Sequence, residues 1–470
     1  RALGVLLVLV YHFFPAFLPG GFIGVDIFFV VSGYLITSLL IRESESGQRV
    51  DLLAFYRRRW RRLFPAICAM LLTCLPLSLL ISPDFRVDVA RQSAAALSWT
   101  TNYYEILTGQ SYEAQLLPHL FIHTWTLSVE MQFYLIWGAC VACIALIARQ
   151  PFGRRAAVFV CAVAVFVASA ALMARSAAAA EDPSAAYMST PSHFFPLMAG
   201  SAFAAIGGFA PANVVKKMAK LRFFKPISLA AIIAGIIFMA WLSFEFSFED
   251  RRVYAWGIAT VSLIAGAVIL LAGAWQGLTD RAEWKLTNYI GLRSYSIYLF
   301  HWPFMILAQH LVTAVGVSQQ HAATVGAVCA IPATFAAAEL SYRYVEQRFR
   351  VRGAWDAGRP EIRDAATRSA RGSSAPQTRL PRLRGSVVAY FCAAVVLGVF
   401  SINAAVTAPF ITSIEADLKY GAMTLDSMDI NEAFDEGLLR TEDSPDTGLS
   451  DADPAGADPA SARPKGASDV

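Results

Sequence analysis

The sequence is poor in charge. Only 16% of its 470 residues are Asp, Glu, Lys or Arg, whereas 56% are apolar. Several long segments contain no charged side chain, among them residues 66–80, 156–171 and 227–242. Such segments are unstable in water and require lipid as their solvent. The composition therefore excludes an ordinary soluble enzyme and indicates a polytopic membrane protein.

The sequence also lacks a cysteine framework and a complete set of metal ligands. All seven cysteines lie in apolar segments, where a thiol behaves as a small hydrophobic group. Cys140 and Cys143 form C-x-x-C, but no strand or histidine accompanies them, which favours simple packing. His119 and His123 have the spacing of zinc ligands without a third ligand in register. We therefore expect neither disulfides nor a bound metal.

Charge is distributed unevenly along the chain. Residues 409–470 hold 14 acidic and 4 basic side chains, which gives that segment a net charge of −10 and leaves +14 on the rest. Lysine and arginine in a membrane protein mainly set its orientation, because short cytoplasmic loops collect them. The basic excess is thus no argument for a nucleic-acid partner.

Segments of about 20 apolar residues predict eleven membrane spans. These are residues 3–18, 23–41, 65–82, 124–148, 156–174, 194–210, 227–244, 253–274, 289–313, 322–344 and 386–408. Residues 88–107 are too polar to face lipid and are predicted to form an outer-face or re-entrant helix. The loops that we expect in the cytoplasm from their basic side chains are 42–64, 149–155, 216–225 and 343–385. The N-terminus is then cytoplasmic.

The predicted fold class is an all-α, polytopic membrane protein with four parts. Residues 1–350 form a ten-helix membrane domain, and residues 351–385 form a basic cytoplasmic linker with eight arginines. Residues 386–408 add an eleventh span. Residues 409–470 form an acidic and mostly disordered tail outside the membrane, because Asp, Pro, Ala, Ser and Gly dominate it.

Polar side chains inside the predicted spans are the main functional signal, since an ionisable group at the bilayer centre costs roughly 2.5–3.5 kcal/mol on insertion scales. His12 lies on the same helix face as Arg1, about 16 Å away. It is either a packed histidine or a general base. Glu130 interrupts the apolar fourth span, and Tyr298 and His301 share a face of the ninth.

Two further motifs flank the second and third spans. The sequence GGFIGVDIFFVVSGYLIT at residues 20–37 contains glycines suited to close helix packing, with Asp26 at the mouth of the span. The sequence FYRRRWRRLFP at residues 55–65 holds five arginines within six positions. Spacing of i,i+3 pairs Arg58 with Arg61 and Arg59 with Arg62, and their forked guanidiniums suit phosphate groups. A simple positive-inside anchor is the alternative interpretation.

These motifs, in this order, resemble those of the acyltransferase-3 family of integral membrane O-acyltransferases, which includes bacterial envelope polysaccharide and lipopolysaccharide O-acetylases. The resemblance covers roughly residues 1–350. The matching positions are Arg1 and His12 for R-x10-H, Phe28, Phe29, Ser32 and Gly33 for FFxxSG, either arginine pair for RxxR, and Tyr298, His301 and Pro303 for Y-x-x-H-x-P.

Two family motifs are matched with departures. Trp125, Ser128 and Glu130 match the HTWSLSVEEQFY-like stretch, but Met131 replaces its second glutamate, so Glu130 is the one carboxylate there that could serve. Glu346 matches the closing acidic position, although Gln347 departs from the usual continuation.

The resemblance implies that the protein transfers an acyl group, usually acetyl, from cytoplasmic acyl-CoA to a hydroxyl of an envelope glycan beyond the bacterial inner membrane. His12 would act as base, Glu130 would be the catalytic carboxylate, and Tyr298 and His301 would donate to the developing oxyanion. The arginines implied to bind acyl-CoA are Arg1, Arg58, Arg59, Arg61 and Arg62. The expected partners are acyl-CoA, a carbohydrate acceptor and membrane lipids.

Many relatives in that family continue into an exported SGNH hydrolase-like domain that completes the transfer. Residues 409–470 contain neither its nucleophile motif nor a late Asp-x-x-His. Either the chain is truncated, or it passes the acyl group to a separate exported acyltransferase domain.

Two other classes of function remain open from the sequence. A proton-coupled secondary transporter of a sugar or organic anion could use His12, Glu130 and His301 as a proton relay. Such transporters often contain inverted repeats or paired broken helices, and the sequence indicates neither. A membrane anchor for an outer domain would have little use for so many ionisable groups inside its spans.

Overall fold

The computed structural model of the protein describes residues 1–46, 50–81, 83–109, 111–112, 119–207, 224–276, 285–349, 396–403 and 406–408. The chain divides into two compact units, Arg1–Phe410 and Ile411–Val470, and all described residues lie in the first. The predicted linker and acidic tail lie outside the described residues. Of the predicted eleventh span, residues 396–403 are described as helical.

Within the described ranges the chain forms helices and no strand. The α-helices are α1 (Ala2–Phe13), α2 (Gly24–Glu45), α3 (Leu52–Ser78), α4 (Val89–Ser98), α5 (Thr101–Leu107), α6 (Trp125–Ile147), α7 (Pro151–Ala179), α8 (Ser184–Met188), α9 (Phe195–Gly207), α10 (Phe224–Glu245), α11 (Ile258–Gln276), α12 (Lys285–Ala314) and α13 (Gln319–Ser341). Turns of π-helix at Val253–Gly257 and Tyr342–Glu346 adjoin α11 and α13.

Seven helical segments of the described chain are long and apolar enough to cross a membrane. They contain α2, α3, α6, α7, α10, α11 and α13, and the apolar helices α1 and α9 are shorter. Each of the first ten predicted spans coincides with a helix, and the ninth coincides with the 30-residue α12. The prediction of an all-α, polytopic membrane protein is confirmed.

Among the helix boundaries that differ from the predicted spans, two have a clear physical cause. The first helix ends at Phe13 rather than at residue 18, because Phe14 precedes Pro15 and leaves the helical conformation. The third helix begins at Leu52 rather than at residue 65, and the Asp51 carboxylate caps it by accepting from the Ala54 N–H at 2.9 Å. Consequently the arginine motif lies on the same helix as the span.

The polar segment 88–107 forms the two short helices α4 and α5, of 10 and 7 residues. Neither is long enough to cross about 30 Å of hydrocarbon. A buried polar network fixes α5 to α6, where Gln132 donates to Asn102 at 3.1 Å and Asn102 donates to Thr190 at 2.9 Å. The Ser128 hydroxyl accepts from the Thr101 N–H at 3.1 Å.

Helices α2 and α9 cross at two glycines that face each other. A Cβ added to Gly33 would lie 1.9 Å from the Leu197 carbonyl oxygen, and one added to Gly200 would lie 2.0 Å from that of Val30. Any larger residue at either position would force the backbones apart. The FFxxSG glycine is therefore a packing residue, and the crossing fixes Ser32 beside the site described next.

Candidate active site

His12 and His301 meet although 289 residues separate them in the sequence. The Nδ1 atom of His12 on α1 lies 3.0 Å from Nε2 of His301 on α12. Their rings stack with an interplanar angle of 30° and centroids 5.0 Å apart. His301 is fully buried, and His12 is half-buried. The structure thus unites two of the residues that the motifs predict to be catalytic.

The hydrogen bonds around this pair determine which nitrogen of each neutral ring carries the proton. His301 Nδ1 contacts the carbonyl oxygen of Tyr298, which can only accept, so Nδ1 carries the hydrogen. His301 Nε2 is then an acceptor and receives the hydrogen of His12 Nδ1. It follows that His12 Nε2 has an available lone pair, as a general base requires.

The basic nitrogen of His12 faces a residue that the motifs do not indicate. The hydroxyl of Tyr112 lies 3.3 Å from His12 Nε2. The backbone N–H of Tyr112 donates to the Ser184 hydroxyl at 2.7 Å, which fixes it near α8. Trp302 closes another side of the imidazole, with its ring edge-on to His12 at 4.9 Å. Tyr112 lies between two predicted spans and outside every motif, so its sequence context does not indicate a functional role.

Tyr298 and His123 are connected by hydrogen bonds beside the histidine pair. The Tyr298 hydroxyl donates to the His123 carbonyl at 2.8 Å and accepts from the Thr126 hydroxyl at 2.8 Å. His123 Nε2 contacts the Leu299 carbonyl at 3.0 Å. In this arrangement both Tyr298 and His301 donate their hydrogens to carbonyl oxygens. The prediction that they act as oxyanion donors stays a prediction.

A cavity of about 560 Å³, counting the space at its open mouth, lies next to these residues. Its polar lining residues are Arg1, Ser32, Arg62, Thr126, Glu130, Tyr134, Ser294, Tyr295 and Tyr298. Its apolar lining residues are Val25, Phe28, Phe29, Leu63 and Leu127. Arg1 of the R-x10-H motif and Glu130 of the HTWSLSVEEQFY-like stretch therefore contribute to one site.

Glu130 is held in the cavity wall by two hydroxyl groups. Ser32 on α2 and Tyr134 on α6 both donate to its Oε1 atom. Ser32 belongs to the FFxxSG motif, so the contact explains why a serine at that position suits this site. Glu130 lines the cavity, whereas His12 does not belong to its lining. The predicted base and the predicted carboxylate thus occupy different parts of the site.

The structure distinguishes among the clustered arginines of α3. Arg62 lines the cavity, and the Arg59 guanidinium lies over the rings of Phe55 and Tyr134 at 5.5 and 6.0 Å. Arg58 points away, with half of its side chain exposed and Glu43 at 3.4 Å. Arg61 is half-buried and lies outside the cavity lining. Of the two predicted pairs, Arg59 and Arg62 thus face the site.

Several motif residues have structural roles in the packing around the site. Trp125 is fully buried and stacks on His193 at 5.6 Å, and Phe29 packs edge-on against the same imidazole at 5.4 Å. Glu346 is buried and accepts from the Ser296 hydroxyl on α12. The Ser296 hydroxyl also lies within hydrogen-bonding distance of the Ser341 hydroxyl, at 3.1 Å, which joins α12 to α13.

Asp26 and His193 form a fully buried pair. Asp26 belongs to the glycine-containing motif at residues 20–37, whereas His193 belongs to no motif. His193 Nε2 lies 2.6 Å from Asp26 Oδ1, and His193 Nδ1 donates to the Tyr187 carbonyl. Because Nδ1 must carry a hydrogen, the contact between Nε2 and Oδ1 requires one further proton shared by the two groups. The pair is therefore neutral overall, which makes its burial affordable.

Removing the carboxyl group from this pair is expected to destabilise the fold. Asp26→Ala leaves His193 Nε2 buried without a partner, so we expect the free energy of unfolding to fall by about 1–3 kcal/mol. Asp26→Asn should lose less, because its amide N–H can donate to the same nitrogen. Thermal unfolding in detergent measures both. Asp250→Ala is a control, since it breaks an ion pair with the exposed Arg252 and should cost less than about 1 kcal/mol.

His119 forms a pair with a carboxylate, Glu105, that the sequence motifs do not indicate. Its Nδ1 atom lies 2.7 Å from Oε2 of the fully buried Glu105 on α5. Burial raises the pKa of Glu105, and the hydrogen bond with His119 partly offsets that rise. The His119 carbonyl accepts from Trp302 Nε1 at 3.1 Å, which links this pair to the wall around His12.

Residues 1–342 match the family whose description is "Acyltransferase domain". The chain belongs to this acyltransferase family. Its relatives include the peptidoglycan O-acetyltransferase OatA of Listeria monocytogenes, 32% identical over 355 residues, which are 75% of this chain and 55% of that protein. The O-acetyltransferase OatA of Staphylococcus aureus is 31% identical over 354 residues, 75% of this chain and 56% of that protein.

The chain spans about half the length of the curated relatives it matches. No solved structure matches it. The matched range contains the histidine pair, the cavity and every motif residue up to Pro303. Glu346 lies just after it.

Proposed function

We propose that the protein is a membrane-bound O-acyltransferase, which moves an acetyl group from cytoplasmic acyl-CoA to a hydroxyl of an envelope glycan. The observation that carries the proposal is the position of an oriented, basic imidazole, His12 Nε2, next to a cavity that arginines enter from α1 and α3. The names of the relatives in Listeria and Staphylococcus support O-acetyl transfer and, for the former, peptidoglycan as acceptor.

The cavity suits the donor side of this reaction. Arg62 and Arg1 supply positive charge at its lining, and a guanidinium binds phosphate oxygens through two parallel hydrogen bonds. Arg59 lies beside them, held over two aromatic rings. Acyl-CoA would place its phosphates among these arginines and extend its thioester toward Tyr298. The apolar side chains Val25, Phe28, Phe29, Leu63 and Leu127 in its walls would help to exclude water from the thioester.

His12 would act on the acceptor side. The Tyr112 hydroxyl contacts His12 Nε2 at the position that an acceptor hydroxyl would need to occupy. His12 would take the proton of that hydroxyl while the oxygen bonds to the thioester carbon and the carbon–sulfur bond breaks. The proton is finally received by the departing CoA thiolate. His301 would orient His12 by accepting its Nδ1 hydrogen, in the manner of the third group of a catalytic triad.

The distribution of charge supports the orientation of this reaction. The basic residues of α3 and of the loop before it favour the cytoplasm, and eleven spans from a cytoplasmic N-terminus would then put residues 409–470 on the opposite side. In the bacterial inner membrane the arginines would then meet cytoplasmic acyl-CoA. A separate exported acyltransferase domain would be an additional partner in delivery to the glycan.

Membrane vesicles that contain the protein test this function directly. They are supplied with acetyl-CoA labelled in its acetyl group, and vesicles from cells without the protein serve as the control. We expect label to enter the glycan fraction as an alkali-labile ester, with release of one CoA thiol for each acetyl group. Release of thiol without glycan ester would contradict the proposed acceptor. Retention of all label as acetyl-CoA would contradict the enzyme activity.

A further inference from the structure

An aromatic wall separates the cavity from the two histidines. The described residues that line the cavity include Phe28 and Tyr298 but neither His12 nor His301. The Tyr298 ring lies 5.2 Å from the His301 ring on its other side. Phe28 packs against Tyr298 with ring centroids 6.3 Å apart and an interplanar angle of 64°. A thioester in the cavity therefore approaches His12 past these two rings.

The wall is held in place from both sides. Two 2.8 Å hydrogen bonds, with Thr126 and with the His123 carbonyl, fix the Tyr298 hydroxyl, so the side chain cannot swing about χ1 without breaking them. Phe28 packs against the apolar cluster that contains Val5 and Leu9 of α1. Its ring also lies 3.4 Å from the position that a Cβ on Gly4 would take.

We propose that Phe28 and Tyr298 form a size filter, which admits the acetyl group and excludes longer acyl chains. The inference rests on the proposed function and adds the class of donor that the site accepts. Packed aromatic side chains resist displacement because a protein interior is close-packed. An acetyl group has one methyl carbon beyond its carbonyl, whereas a butyryl chain has three and would overlap the ring of Phe28.

Replacing Phe28 tests the filter without removing any group that the proposed chemistry uses. Phe28→Ala takes away the ring, and Phe28→Leu retains part of its volume as a milder change. Phe166→Ala on α7 is the matched control, because Phe166 contacts Phe195 and lies outside the cavity lining. Each variant is supplied with acetyl-CoA or butyryl-CoA in membrane vesicles. Equilibrium binding of both thioesters to the purified protein is measured alongside.

The quantity to compare is the ratio of butyryl to acetyl transfer within one preparation, which does not depend on how much protein is folded. The parent protein should favour acetyl-CoA. We expect Phe28→Ala to raise the ratio by about tenfold or more, since a pocket discriminates by roughly tenfold or more for each methylene. Phe28→Leu should raise it less, and Phe166→Ala should keep the parent ratio.

Two results would overturn the size filter. One is a parent protein that transfers both acyl groups equally well, and the other is an unchanged ratio in both Phe28 variants. If the parent transfers neither group, the proposed function fails, and the binding ratios then decide whether the wall selects by size. Equal binding of acetyl-CoA and butyryl-CoA by parent and variants would overturn the filter in that case also.

Discussion

His12→Gln is expected to lower the rate of acyl transfer by about 10²–10⁴, the usual contribution of a general base. The substitution retains a donor for His301, because the glutamine amide can give a hydrogen to the Nε2 atom that His12 Nδ1 now contacts at 3.0 Å. It also retains roughly the size of the side chain. What it removes is the basic lone pair that faces Tyr112, so a loss of rate isolates proton transfer from packing.

The rate is measured as acetyl ester formed in vesicles that contain equal amounts of inserted protein. His310→Gln is the matched control, because His310 lies on α12, is half-buried, contacts the carbonyl of Ile306 and lies outside the cavity lining. It should transfer acetyl at the parent rate. A His12→Gln variant that inserts normally and keeps the parent rate would make His12 a packed core histidine.

The sequence pattern predicts most of the membrane helices of this fold, because the formation of each helix depends mainly on the residues within it. An apolar run long enough to cross the membrane forms a helix whatever its neighbours, since lipid offers its backbone no other hydrogen-bond partners. The first ten predicted spans therefore coincide with helices. Their ends are less predictable. Arginines that a hydropathy pattern assigns to a loop continue α3 by four turns, because Asp51 caps that helix at its true start.

The site itself depends on packing between distant helices. Motif order predicts that His12, Glu130 and His301 belong together, but it cannot predict that Glu130 lines the cavity while the histidines lie behind Tyr298. That division depends on packing between distant helices, such as the crossing of α2 and α9, which no local pattern encodes. His193 illustrates the same limit, since its partner Asp26 is 167 residues away.

The rotation of α3 about its own axis is a further property that spacing alone leaves open. Two i,i+3 pairs of arginines fit the RxxR pattern equally well in the sequence. Packing of α3 against α6 selects between them, because the rings of Phe55 and Tyr134 fix Arg59 on the inner side. Arg62 then lines the cavity and Arg58 remains at the surface with Glu43.

Arg62→Lys is accordingly expected to weaken the binding of acyl-CoA by about 10- to 100-fold. Lysine keeps the positive charge but loses the fork of the guanidinium, and a hydrogen bond to a charged group contributes about 1.5–3 kcal/mol. A factor of ten corresponds to about 1.4 kcal/mol. The expected signature is a higher KM for acetyl-CoA with a smaller change in kcat, since the phosphates lie far from the reacting carbon.

Arg57→Lys provides the control for charge and for membrane insertion. Arg57 is exposed on the same helix, so its replacement by lysine should leave both KM and insertion at the parent values. KM is measured from the initial rate of thiol release at increasing acetyl-CoA concentration. Equal KM values for Arg62→Lys, Arg57→Lys and the parent would mean that the cavity arginine makes no bidentate contact with the donor. The α3 arginines would then serve only to orient the protein in its membrane.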